Sequence, residues 1–500
     1  MSLVELDDTD GSGLAALSRQ VRRDLDLLCR PPANWVPETR VGGEKVHDVV
    51  VIGGGMCGLV AAFALQSGGV RSIRIFDRNP AGREGPWLTY ARMETLRSPK
   101  QLTGPAFGIP SLTFRAWFTA QFGEAAWEAL DKIPRPRWAE YLSWYREVLQ
   151  IPVENGTEVT RIAPEGELLR VELGGPGARE ASVLARKLVM ATGRDGLGHP
   201  NIPDFVEGLP RTRWAHSSDE IDFSALKDKR VVVVGIGASA VDNAAEALEA
   251  GAREVRHLIR RKEMPTINKM MGIGSFGFIA GFPRLPDEWR WRFMHYSFVT
   301  QTPAPRGSTL RVSRHANAYF HFGKGIRQIT HDGRELEILT TDGSRLTTDF
   351  VILGTGFTVE PLARTELGGY ADHILLWRDR YDPPADLQHA ELAKFPYLNP
   401  DFSFQEREPG SAPWLKNIYC FNYGATASLG KVSGDIPGIS EGAAWLARDI
   451  AATLYSEDVA AHFQAMVDYQ KPELLGDEWQ PSEIEDTAAD APKHRYGTGG

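Results

Sequence analysis

An α/β fold of two doubly wound domains, the second inserted in the first, is predicted by three observations. The run DVVVIGGGMCGLVAAFAL from Asp48 passes from a buried-strand pattern to a helical one through clustered glycines. The segment KRVVVVGIGASAVDNAAEAL, Lys229 to Leu248, repeats that grammar. After about Leu346, TTDFVILGTGF and a helix from Ser440 to Leu454 read as the first domain resumed. A chain of 500 residues exceeds one ordinary hydrophobic core, and 42% apolar content is enough to build two.

In the first unit, Gly53, Gly55 and Gly58 form G-x-G-x-x-G between strand and helix. The first glycine permits the tight turn, the second lets a pyrophosphate approach the backbone, and the third admits close helix packing. The helix N-terminus then faces the anion. The next strand, SIRIFD, ends in Asp77, at 77 − 53 = 24 residues from Gly53, followed by Arg78. An acid at that place receives ribose hydroxyls and repels a 2'-phosphate, so the expected ligand is FAD or NAD.

The second unit repeats the pattern as Gly235, Gly237 and Ala240, with Ser239 inside the turn. Its next strand ends in Arg260, Arg261 and Lys262, where cations would meet a 2'-phosphate. NADPH is therefore expected in preference to NADH. The alternative is that the triplet is a solvated strand end. Together the two units give two Rossmann-like dinucleotide-binding domains.

With these motifs on the page, the sequence resembles the flavin-containing (class B) monooxygenases and the related amine N-hydroxylases of siderophore synthesis, over most of Asp48 to Leu454. GREGPW, with Gly85 and Trp87, resembles the Gly-Gly-x-Trp segment that lies along the flavin. TLRSPK (Thr95 to Lys100) and IPRPRWAEYLSWY (Ile133 to Tyr145) look like corresponding stretches of the N-hydroxylases. EVTRI resembles the strand whose backbone near Val159 holds the adenine. VMATGRDG, with Thr192 and Gly193, and DFVILGTGF, with Thr355 and Gly356, are similar to the two crossovers that such flavoproteins place near FAD and between domains. The family's F-x-G-x-x-x-H signature is degenerate here: RTRWAHSS keeps His216, with Pro210 and Thr212 at the Phe and Gly positions. Arg97 stands where many members have an Asn beside the flavin, and the lysine that ornithine hydroxylases use for substrate has no clear counterpart.

The resemblance implies FAD and NADPH as cofactors and a small-molecule substrate oxygenated with O2 through a flavin C4a-hydroperoxide, N- or S-oxygenation being favoured. Baeyer-Villiger oxygenation and an FAD-dependent NADPH oxidase or dehydrogenase without oxygen insertion are the alternatives. Arg97, Lys100 and His216 are the catalytic candidates. For the two cations the alternative is phosphate or surface pairing, and for His216 a hydrogen-bonded linker residue. The expected domains are a helical arm over 1–46, an FAD-binding part over 47–215, an NADPH-binding domain over 216–345, a second FAD-binding part over 346–465 and a tail over 466–500. The aromatic-rich stretch Lys269 to Phe298 reads either as a lid over a substrate channel or as core or dimer interface. The helix near Ser440, preceded by glycines and Pro437, is expected to aim its N-terminus at the flavin.

Composition excludes several classes. The net charge of −9, with Lys and Arg scattered among acids, offers no basic stripe to nucleic acid or an anionic membrane. The acidic start MSLVELDDTD and the lack of a run of about 18 apolar residues predict a cytoplasmic chain without a membrane anchor. Cys29, Cys57 and Cys420 form no C-x-x-C pair, which argues against a pyridine-nucleotide disulfide reductase. A flavin-binding redox sensor acting through a partner has only the unexplained N-terminal arm in its favour. No metal ligand set is assigned, and a homo-oligomer stays open.

Overall fold

The computed structural model describes residues 13–484; the first residues of the arm and the last part of the expected tail, 485–500, lie outside them. The strand Glu44–Ile52, apolar through Val49, Val50 and Val51, is buried and lies inside an eight-stranded sheet. It pairs in parallel with Ile73–Asp77 on one side and Ser182–Met190 on the other. Strand order therefore reverses beside it, and a crevice opens at the carboxyl ends of these strands, where open α/β sheets bind ligands. The helix Met56–Ser67 is buried along Met56 to Leu65, so it reads apolar all round. Its Phe63 meets Phe107 and Tyr145 edge-on, at 5.2 and 6.1 Å between centroids, which places Arg135–Val148 in the layer above.

The N-terminal arm packs on this domain. Its helix, Gly13–Leu27, buries Val21 and Leu25, and its Ser18 hydroxyl accepts a 2.9 Å hydrogen bond from Trp144 Nε1.

The second sheet has five strands, all parallel, in the spatial order 318–322, 254–259, 230–234, 350–353, 214–216. Its helix Ala238–Glu249 packs against Arg306–Ser313 through buried Arg311, which pairs with Glu246 at 2.9 Å and Glu249 at 2.6 Å. Two expected boundaries shift here. Phe350–Leu353, read as the first domain resumed, pairs with Arg230–Val234 in the second sheet, and Trp214–His216 joins it from before the expected start. A buried apolar strand looks the same in either parallel sheet, so only pairing decides. The strand that does return to the first sheet is Ile418–Cys420, beside Ser182–Met190.

The aromatic-rich stretch divides between core and cavity. Trp291 and Phe282 are 2% and 1% exposed, and Trp291 Nε1 donates to Leu387 O at 2.8 Å, while Phe276 and Trp289 are exposed. Residues from Tyr455 on form a separate unit, whose helix Val459–Asp468 has no buried residue. Among the described residues, no helix is long and apolar enough to cross a membrane.

Candidate active site

One cavity of about 2390 Å³ runs along the carboxyl ends of the parallel strands of both sheets. That exceeds the roughly 300–1,000 Å³ of an ordinary ligand pocket and leaves room for two dinucleotides. At its first end, Gly53 has φ +101, and a Cβ there would meet Ala191 O at 2.6 Å. A Cβ on Gly58 would lie 1.9 Å from Gly53 O, so only glycine lets the helix start against the turn. Gly55 differs: its φ is −74, and a Cβ would meet only the Gly85 and Glu84 backbone, at 3.5 Å or more. Beyond that contact it faces the cavity, which is the cradle a pyrophosphate requires.

Asp77 closes this end. It is buried, and its two carboxylate oxygens accept from Gly54 N and Asn79 N, each at 2.8 Å. Burial raises its pKa and the two backbone bonds oppose the shift. Each oxygen keeps lone-pair capacity for a ribose hydroxyl. Arg78, Gly85, Trp87 and Val159 also line the cavity, as do Thr192 and Gly193. Asn422 Nδ2 donates to Thr192 Oγ1 at 3.1 Å and so fixes that crossover. These residues fit FAD. The helix expected at Ser440 begins at Ile439, and Ile436, Pro437 and Gly438 before it line the cavity.

At the other end Gly235 (φ +106), Gly237 and Ser239 stand at the cavity wall. Ala240 serves as the third fingerprint residue because Gly354 lies opposite: a Cβ on Gly354 would come within 2.3 Å of the Ala240 Cβ. Arg260 is exposed, whereas Arg261 is half-buried and donates to Gln301 Oε1 at 2.7 Å and Val299 O at 2.6 Å. Both line the cavity; Lys262 is outside it.

Behind this turn His257 is fully buried, bonded through Nδ1 to Gly235 O at 3.0 Å and stacked on Phe320. Burial pushes its pKa down to about 4. An unfolded histidine titrates near about 6.5, so between those values the unfolded chain binds the extra proton. Stability is then full above the higher value and declines as pH falls toward the lower. The melting temperature of the FAD-loaded protein should drop across this window and His257→Gln should flatten the drop, with His47, also held near 4 by burial, and His216, His321 and His389, whose pKa values burial lowers, supplying the remainder.

The three catalytic candidates separate. Arg97 lines the cavity, donates to Pro303 O at 2.8 Å and feels the carboxylates of Asp242 and Asp435. Lys100 turns away: its ammonium donates to Trp127 O at 2.7 Å and lies over the Trp127 ring, so the role offered to it beside the flavin does not carry forward. His216 is outside the cavity lining. Its Nε2 bonds Gly356 O at 2.9 Å and Nδ1 meets Ser218 Oγ at 2.7 Å, which fastens the entry strand of the second domain to the crossover at Thr355 and Gly356. Burial lowers its pKa, so the neutral ring makes these bonds.

Sequence reasoning missed Asn268, Gln301, Asp242 and Tyr423, all at the cavity wall. Asn268 Oδ1 is buried without a hydrogen-bond partner, as is Asp242 Oδ1. Gln301 carries a φ of +56, rare for a side chain of its kind. Asp242 lies on the helix of the second fingerprint, two residues past Ala240, while Asn268, Gln301 and Tyr423 arrive from separate segments outside any local motif.

Residues 50–272 match the family model of pyridine nucleotide-disulphide oxidoreductases. Among the described residues no thiol pair accompanies that match: Cys29, Cys57 and Cys420 are all free, and burial pushes the Cys57 thiol up to about 12. The deciding relative is an FAD-dependent urate hydroxylase from Xanthomonas campestris pv. campestris, 37% identical over 476 residues, covering 94% of this chain and 99% of that protein. The chain belongs to the FAD-dependent flavoprotein monooxygenases. Solved structures agree with this monooxygenase at the level of fold. An ornithine hydroxylase from Pseudomonas aeruginosa superposes with a TM-score of 0.63 at 18% identity, over 82% of this chain and 100% of that one. A bacillithiol disulfide reductase from Staphylococcus aureus, also 18% identical, reaches 0.54 over 81% and 98%. The fold is thus common to oxygenating and thiol-reducing enzymes.

Proposed function

We propose that the enzyme uses NADPH, FAD and O2 to hydroxylate urate or a closely related cyclic ureide in the cytoplasm. One observation carries the substrate: the relative named for urate matches along nearly the whole of both chains. The balance is NADPH, a proton, O2 and ureide giving NADP+, water and the hydroxylated ureide. FAD supplies the hydride acceptance and oxygen activation. The electron-rich C=C bond of urate accepts the same electrophilic oxygen as a nucleophilic N or S centre does.

The chain's own residues support a flat ligand edged with alternating N–H and C=O groups. Arg97 supplies donors at the cavity wall, and Asn268 Oδ1 is an acceptor without a partner. Phe278, Ile279, Met294 and Phe298 give that end an apolar wall, which keeps water from the reacting atoms. The lack of a lysine counterpart speaks against ornithine. Three free cysteines fit a reducing compartment. Adding urate to the FAD-loaded protein should accelerate NADPH oxidation, whereas ornithine and lysine should not. Acceleration by ornithine instead would overturn the substrate.

A further inference from the structure

The segment from Val299 to Pro303, which follows the helix Asp287–Thr300, is held from both sides. Arg261, at the end of the strand that follows the second glycine turn, donates to Val299 O and Gln301 Oε1. Arg97, from the FAD-binding part, donates to Pro303 O. Between these anchors Gln301 adopts φ +56, a region strained for a glutamine that persists where surrounding contacts over-determine it. Its amide end is well placed: a Cβ on Gly237 would have Gln301 Nε2 as its neighbour at 3.7 Å. The side chain therefore lies over the N-terminus of Ala238–Glu249, with its carbonyl engaged by Arg261 and its N–H donors turned toward the glycine turn.

We infer that Gln301 is a specificity-determining residue of the coenzyme site: its carbonyl orients Arg261 toward the 2'-phosphate of NADPH, and its amide nitrogen donates to the pyrophosphate at Gly237. The inference rests on Arg261 as the phosphate residue. The two contacts do different work. A guanidinium fixed along one edge by Gln301 and Val299 presents its other edge in a defined plane, so less conformational freedom is lost when phosphate arrives. The amide donor, by contrast, acts on a group that NADPH and NADH share.

The separation makes a test that needs no substrate and no turnover. Oxidised, FAD-loaded protein is titrated with NADP+ and with NAD+ by calorimetry, for the parent, Gln301→Leu, Gln301→Glu, Arg261→Ala and the Gln301→Leu/Arg261→Ala pair. Gln301→Leu should weaken NADP+ by about tenfold or more and NAD+ by less, so the ratio of the two affinities falls. In the Arg261→Ala background the same change should leave that ratio where it was. Gln301→Glu keeps the acceptor for Arg261 but loses the donor and repels pyrophosphate, so both coenzymes should weaken together with the ratio preserved. An unchanged ratio in Gln301→Leu, or an equal fall with Arg261 absent, would overturn the inference. Equal affinity of the parent for NADP+ and NAD+ would remove the phosphate reading of Arg261 itself, and the orienting role with it. The urate proposal is untouched by either result.

Discussion

Gly55→Val should purify as folded protein without bound FAD. A Cβ there meets only the Gly85 and Glu84 backbone, at 3.5 Å or more, and Gly55 sits at an ordinary φ of −74, so the turn itself accepts a side chain. The same side chain fills the space through which a pyrophosphate reaches the backbone N–H groups. Charge-assisted hydrogen bonds contribute about 1.5–3 kcal/mol each, and losing two of them weakens FAD by roughly two to four orders of magnitude. Gly58→Ala is the control with a different failure, because its Cβ would lie 1.9 Å from Gly53 O and the turn itself would not form. Circular dichroism and the flavin absorbance of each purified variant distinguish the two. A stoichiometrically yellow Gly55→Val protein would refute the placement of the pyrophosphate.

The second large effect is on coenzyme choice. Arg261→Ala should lower the preference for NADPH over NADH by roughly tenfold to a hundredfold, from the loss of one guanidinium–phosphate contact of about 1.5–3 kcal/mol. Arg260→Ala should do less, because Arg260 is exposed, whereas Arg261 is oriented by Gln301 and Val299. Anaerobic flavin reduction followed against each coenzyme's concentration reads the loss, mainly in apparent binding. Equal use of NADH by the parent would show that the basic triplet serves the strand end and no phosphate.

The parts of this molecule that were legible in its sequence are those whose chemistry is local. Gly53, Gly55, Gly58 and Asp77 are linked by a turn and one strand spacing, and Gly235 and Gly237 likewise, so their neighbours in the chain are their neighbours in space. The membership of Phe350–Leu353 was not legible, since an apolar run carries no mark of which parallel sheet it enters. Lys100 misled for a related reason: its position beside Arg97 in the chain says nothing of the Trp127 carbonyl that captures it. Gln301 and Asn268 gave no signal at all. Their positions depend on how helices and loops from distant segments converge on one cavity, and no spacing records that convergence.

Oxygen insertion by an FAD- and NADPH-dependent enzyme is read out by isotope transfer. FAD-loaded protein turned over with NADPH and urate under 18O2 should give a hydroxylated ureide carrying one 18O atom, with one NADPH consumed for each product formed. Product without 18O, or NADPH consumption that ends only in hydrogen peroxide, would contradict it.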